Sequence, residues 1–233
     1  MKLLLDVGNS RVKWAFVAAG GLVAQGEAAH DDEANLRPLF AARHAPDDIR
    51  IANVAGASTG ARLAARLEEC FHVVPVLARS ARQGAGVENG YADPAQLGVD
   101  RWLAICAAYD RYRAAVCVVD AGTATTIDVV TASGEHRGGL ILPGLRLMES
   151  ALLRGTSDLA QRSGASDLQA EGQIPVGTSG DPEAPVLTLG HDTAAAIRYG
   201  ALQATTSLVW TCLEDFSPRG SLVTIFPTVL VTG

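Results

Sequence analysis

Asp6-Val7-Gly8-Asn9-Ser10 and Asp120-Ala121-Gly122-Thr123-Ala124 are two versions of one stretch, and the fold is read from their pairing. Setting Asp6 against Asp120 also aligns Gly8 with Gly122, Phe16 with Val130 and Gly20 with Gly134, at one constant offset and without a gap. An apolar run precedes each, Lys2 to Leu5 and Val116 to Val119, and reads as a buried strand. The carboxylate then falls where the strand ends. A glycine two residues later permits a tight turn and leaves room for a ligand, and the Asn, Ser or Thr that follows adds short polar groups. Such a turn can hold a phosphate on backbone N–H groups, with the aspartate orienting a metal ion or its water. One isolated Asp-x-Gly-Asn is more often an ordinary hairpin turn. Two in register point to a duplicated strand-turn-strand unit, the arrangement by which two similar domains grip a nucleotide.

Outward from these turns, residues 2 to 30 read as three antiparallel strands. Val12, Trp14 and Phe16 alternate with Arg11, Lys13 and Ala15, the period of a half-buried strand. Asp31-Asp32-Glu33 suits the start of a helix to about Arg43. A strand over Ile49 to Val54, a helix after Ser58-Thr59 carrying Leu63, Leu67 and Phe71, and a short strand over Val73 to Leu77 complete the first half. Gly84 to Arg101 is loop-like, leading through Leu97-Gly98-Val99-Asp100-Arg101-Trp102 into an apolar helix to Tyr109. The second half repeats the opening as strands over Val116 to Asp120, Thr125 to Val130 and Arg137 to Leu142, ended by Pro143-Gly144. A helix with Leu145, Met148 and Leu152 follows, then a loop or lid over Ser163 to Pro185. An alanine-rich helix runs from Asp192, its N-cap, to Phe216, with Ile197, Ala201, Ala204 and Leu208 on one face. Ser221 to Val231 reads as a last strand.

Composition closes several alternatives. The 233 residues carry a formal charge of −6, which gives no electrostatic reason to bind nucleic acid or an anionic membrane. Lys2 and Lys13 are the two lysines, and neither follows a glycine-rich run as a Walker loop requires. Cys70, Cys106, Cys117 and Cys212 are scattered without a Cys-x-x-Cys pair, as thiols of a reducing cytosol would be. No apolar stretch is long enough for a signal peptide or membrane span. His30, His44, His72, His136 and His191 form no constellation, and His136 and His191 read as surface or structural residues.

Phosphoryl transfer needs a cradle for the donor phosphates, positive charge for the transition state and a base for the acceptor's proton. The Asp6 to Ser10 turn with Thr123 supplies the cradle. Lys13 either reaches a phosphate or is a solvated edge residue. Asp100 stands between Gly98, which opens space, and Arg101, a fixed positive charge; it reads as the base or as an N-cap with Arg101 in the first turn, and the roles are compatible. Asp120 either binds a cation or accepts hydrogen bonds from its turn. Asp128, within a strand, is a functional or a paired buried carboxylate.

Taken together, Asp6 to Ser10, Gly90-Tyr91, Leu97 to Trp102, Asp120 to Ala124 and Gly138-Gly139-Leu140-Ile141-Leu142-Pro143-Gly144 resemble type III pantothenate kinase, with the motifs in family order across nearly the whole chain. The resemblance implies the acetate and sugar kinase, heat-shock and actin superfamily. That is an α/β fold of duplicated ribonuclease-H-like (actin-like ATPase) domains, here 1–113 and 114–233, each a mixed sheet with flanking helices, the active site in the cleft between them. It implies transfer of the ATP γ-phosphate to the hydroxymethyl oxygen of pantothenate, the first step toward coenzyme A, by a cytoplasmic homodimer that uses magnesium and a monovalent cation, potassium or ammonium. Carried onto matching positions, Asp6, Val7, Gly8, Asn9, Ser10, Arg11, Val12, Lys13 and Thr123 contact ATP. Tyr91, Gly98, Val99, Asp100, Arg101 and Thr193 hold pantothenate, with Asp100 the proton acceptor and Arg101 its catalytic neighbour. Asp120 binds the monovalent cation, and Asp6 is the candidate for magnesium. The family continues past Thr232-Gly233 with a second Gly and a terminal helix that help form the nucleotide site, so the second domain is expected to be cut short. Members have also been described as transcription accessory factors, so the alternatives are a non-catalytic nucleotide-binding regulator or a same-fold kinase for another small hydroxylated substrate.

Overall fold

The computed structural model describes residues 1–29, 33–41, 44–155, 189–216 and 230–232. The chain divides into two compact units, Met1–Ala114 with Val130–Gly138, and Ala115–Val129 with Gly139–Gly233.

In the first unit, β1 (Lys2–Val7), β2 (Arg11–Ala18), β3 (Gly21–Ala29), β4 (Asp48–Asn53) and β5 (Val76–Leu77) form a sheet in the order β3-β2-β1-β4-β5. β2 is antiparallel to β1 and β3, whereas β4 is parallel to β1 and β5, so the sheet is mixed. Alternation sets its register. Leu3, Leu5 and Val7 of β1 and Val12, Trp14 and Phe16 of β2 are buried with Ile49, Ile51 and, from α1 (Ala57–Phe71), Leu63 and Leu67. A slip of one residue would turn Leu4, Asp6 and Lys13 inward and expose this set, each large member of which contributes about 1.5–3 kcal/mol by burial. Trp14 is accommodated because its cross-strand partner is Gly26, where an added Cβ would lie 2.4 Å from the indole.

Two elements come out shorter than their pattern suggests. Instead of a helix through Arg43 there is a 3-10 turn at Glu33–Leu36 and one α-turn, Arg37–Phe40, because Pro38 is tolerated only in a first turn; Asp31, Asp32 and Arg43 lie outside the described residues. The strand expected from Val73 pairs only at Val76–Leu77, since Pro75 has no N–H to give a ladder. A two-stranded ribbon, β6 (Gln83–Gly84) and β7 (Val87–Glu88), leads to α2 (Val99–Tyr112), which buries Val99, Trp102, Ile105, Cys106 and Tyr109 at helical spacing.

In the second sheet, which lies in the second unit apart from Val130 and His136–Gly138, β8 (Val116–Ala121), β9 (Ala124–Val130), β10 (His136–Pro143) and β11 (Leu230–Thr232) stand in the order β10-β9-β8-β11. That reproduces β3-β2-β1-β4, including a parallel outer partner: Asp120 is in register with Thr232 as Asp6 is with Ala52. Cys117, Val119, Ile127 and Val129 form the core with Leu208, Val209, Cys212 and Leu213 of α4 (Thr193–Phe216), on which α3 (Leu145–Gly155) packs. Asp192 caps α4 as the sequence indicates, its Oδ1 accepting from the Ala195 N–H at 2.8 Å. Ile197 and Ala201 are buried, but Ala204 is exposed and Thr205 takes its place in the face, its hydroxyl donating to the Ala201 carbonyl at 3.0 Å. The Ser163 to Pro185 segment lies outside the described residues, as does most of the strand read over Ser221 to Val231.

Candidate functional site

Asp6 is exposed at the end of β1, directly across from Lys13, which is itself across from Glu27. The Gly8 N–H donates to the Arg11 carbonyl at 2.9 Å and closes the turn, leaving Asn9 and Ser10 outward. Val7 and Val12 have no exposed surface, so they can offer a ligand only backbone groups. Arg11 is engaged by the Glu27 carboxylate. Asn53, which the sequence reading passed over, organises the adjacent strand end: its amide donates to the Gly56 carbonyl at 3.0 Å and its oxygen accepts from the Ala55 N–H at 3.2 Å. It sits in register with Val7. A polar residue closing the apolar run of β4 was the available signal.

The loop before α2 is fixed by buried polar groups. Asn89, 1% exposed, accepts the Tyr91 N–H at 3.0 Å and donates to the Ala81 carbonyl at 3.1 Å. Arg82 donates to the carbonyls of Asn89, Tyr91 and Ala92 at 2.9–3.2 Å. The half-buried Tyr91 ring is thereby presented to Arg101, whose guanidinium donates to the Tyr91 hydroxyl at 3.2 Å and lies 5.9 Å from the ring centroid. A buried guanidinium requires such partners, because an unpaired buried charge is costly. His136, read from sequence as surface or structural, is 1% exposed and stacks on Tyr91 at 6.0 Å and 10°. Its place at the start of a strand, with no His-rich surroundings, hid it.

α2 starts differently from the N-cap alternative. Gly98 is the cap and Asp100 stands in the first turn, its Oδ1 accepting from the Arg101 N–H at 2.8 Å. A carboxylate there is favoured by the helix dipole. Asp100 is only partly buried, and a Cβ at Gly98 would lie 2.6 Å from its Oδ1, so the glycine opens the space in which the carboxylate lies. Val99 is in the core and contributes backbone only.

In the second unit Asp120 is partly buried near the end of β8. The turn after it closes by the Gly122 N–H on the Ala124 carbonyl at 3.1 Å, with Thr123 exposed. Gly144 lies against this turn: its N–H donates to the Thr123 carbonyl at 2.9 Å, and a Cβ would meet the Gly122 carbonyl oxygen at 2.1 Å. Thr193 is the first residue of α4 and is half-buried. Asp128 is buried, at 1% exposed, as the structural alternative for it required. Burial, then the nearby Cys212 and Asp128, pushes the Cys117 thiol up to about 11. Among the described residues no three His, Cys, Asp or Glu side chains form a metal-binding group. A cation at Asp6 or Asp120 would therefore need backbone, water or phosphate oxygens besides carboxylate, which is an ordinary way to hold magnesium.

Residues 2–215 match the type III pantothenate kinase family. A type III pantothenate kinase of Aromatoleum aromaticum is 43% identical over 68% of this chain and 65% of its own length, and one of Halorhodospira halophila is 39% identical over 88% and 86%. The chain thus spans slightly under two thirds of the first of these. Two solved structures share the fold at low identity. One, described as a Baf family transcriptional activator from Campylobacter jejuni, is 19% identical with a TM-score of 0.53 over 93% of this chain and 80% of that one. The other, described as a 2-dehydro-3-deoxygalactonokinase from Sinorhizobium meliloti, is 15% identical with a TM-score of 0.50 over 100% and 87%. The fold is α/β, with mixed sheets and flanking helices, and is shared with these two structures. With the acid-glycine turns, the Gly98 to Arg101 helix start and a family match over most of its length, the chain belongs to the type III pantothenate kinase family.

Proposed function

We propose that this protein transfers the γ-phosphate of ATP to the hydroxymethyl oxygen of pantothenate, with Asp100 as general base. The observation that carries the reading is the grouping of an accessible Asp100 carboxylate beside Gly98 with a buried Arg101 that reaches Tyr91. Asp100 takes the hydroxyl proton as the oxygen attacks phosphorus, ADP leaves, and Arg101 and Tyr91 hold the acid end of the acceptor. The exposed Asn9, Ser10 and Lys13 and the turn N–H groups meet the donor phosphates, and Thr123 adds a hydroxyl. Asp6 would hold magnesium and Asp120 the monovalent cation, and Thr193 completes the acceptor site. Magnesium supplies charge neutralisation at the phosphates. The working form is a cytoplasmic homodimer; no described helix is long and apolar enough to cross a membrane.

The regulator reading draws on the description of the Campylobacter structure. The net charge of −6 argues against direct contact with DNA. ADP release on adding pantothenate, measured for the native protein and Asp100→Asn, separates the two. The variant is expected to lose about 10²–10⁴-fold in kcat while still binding ATP, the range for a lost general base. Native protein that binds ATP but turns over neither pantothenate nor any related acid would favour the regulator.

A further inference from the structure

We infer that His136 is a positioning residue for the acceptor substrate, acting through Tyr91; this rests on the reading of Tyr91 and Arg101 as the pantothenate site. Tyr91 is anchored three ways. Its backbone N–H is held by Asn89 and its carbonyl by Arg82, its hydroxyl accepts from Arg101, and its ring lies nearly parallel to His136. The first of these fixes the chain but leaves the ring free to rotate about two side-chain torsions. The stack removes that freedom. An interplanar angle of 10° at a 6.0 Å centroid separation is an offset stack, a geometry that a residue buried only to fill volume has no need to adopt.

His136 is well placed to act as the fixed partner. It is 1% exposed, and its carbonyl oxygen lies so close under Gly90 that a Cβ there would stand 1.9 Å from it. The strand start and the loop are therefore docked backbone to backbone, and the imidazole inherits that rigidity. The phenol is in turn held where Arg101 can use it, so the plane of His136 sets the direction in which the guanidinium meets the acid end of the acceptor. A group held within a fraction of an ångström by its supporting shell binds and orients a substrate more tightly than one left to rotate.

The test compares His136→Gln, which keeps polarity and most of the volume but no ring, with His136→Phe, which keeps the ring, in the full chain. Each is measured for pantothenate KM, ATP KM, kcat and thermal unfolding, alongside Tyr91→Ala and the double variant. His136→Gln is expected to raise the pantothenate KM about three- to tenfold, the size of a lost aromatic pair, with ATP KM held; His136→Phe is expected to stay within about twofold of native. In the Tyr91→Ala background, His136→Gln is expected to add nothing. Calorimetric titration with pantothenate should repeat this order without turnover. Equal KM increases in His136→Phe and His136→Gln, or an unchanged His136→Gln when Tyr91→Ala is impaired, would overturn the inference. A Tyr91→Ala protein with native pantothenate KM would instead overturn the site reading beneath it.

Discussion

The two acid-glycine turns share a topology and differ in construction. Each follows a strand flanked by an antiparallel neighbour or its counterpart in sheet order and by a parallel partner, and each aspartate occupies the same register, Asp6 beside Ala52 and Asp120 beside Thr232. Yet the first turn closes on the residue three positions after its glycine and the second on the residue two positions after. Ala124 already belongs to β9, whereas Ser10, its aligned residue, is still in the turn. The gapless alignment hides this difference. Both turns are exposed, the first with the polar side chains of Asn9 and Ser10; the second is also braced by the backbone of Gly144 and follows a strand whose Val116 to Val119 are all buried. A duplicated motif has thus become one turn closed on itself and one whose carbonyls are fixed by a neighbouring backbone.

That contrast can be broken experimentally. Gly144→Ala would drive a methyl into the carbonyl oxygens of Gly122 and Thr123 at 2.1 and 2.8 Å. Overpacking of this kind costs about 1–3 kcal/mol or more, so the melting temperature should fall by about 5 °C and catalysis with it. Gly8→Ala meets only the Arg11 carbonyl at 3.4 Å and should unfold within about 1–2 °C of native. Indistinguishable melting curves would erase the structural distinction.

The aspartates give the next largest effect. On the proposed roles, Asp120→Asn should abolish the rate response to potassium, about tenfold, while Asp6→Asn keeps that response and raises the KM for magnesium-ATP. Kinetics across a potassium series would decide it, and a swapped pattern would exchange the roles. Cys117 then reports on the buried strand. Cys70 is exposed, whereas burial pushes Cys117 and Cys106 up to about 11, so at pH 8 alkylation followed by mass spectrometry should label Cys70 first. Because the folded value lies above the ordinary 9.0, stability from Cys117 is complete below that pH and declines as pH rises from there towards about 11. The smallest effect belongs to Glu27→Gln. It releases Arg11 beside the first turn, but both partners are half exposed, so stability should change by less than about 1 kcal/mol in a denaturant titration.

Much of this is legible in the amino-acid sequence. The alternation of Val12, Trp14 and Phe16 defines β2, and Asp192 announces the start of α4, because both signals are local. Pro38 and Pro75 curtailed elements whose apolar pattern ran on past them. Ala204 matched the helical stripe, but small residues read alike on either side of a helix, and the core took Thr205 instead. His136 escaped for another reason: its importance comes from Tyr91, a neighbour distant along the chain, and no periodicity encodes such a meeting, whereas Asn53 acts locally on Ala55 and Gly56 and its place closing β4 carried the signal.

Lys2 finds its parallel partner at Asp48, but Val118 must wait for Leu230. As the polypeptide leaves the ribosome, all five strands of the first sheet emerge before Val116 does, so that lobe can mature early. The second lobe's β8, once made, keeps an apolar edge uncovered until Leu230 emerges, and pairings so remote in sequence form slowly. Val116 to Val119 is accordingly where a nascent chain would recruit a chaperone, or where two such chains would stick together.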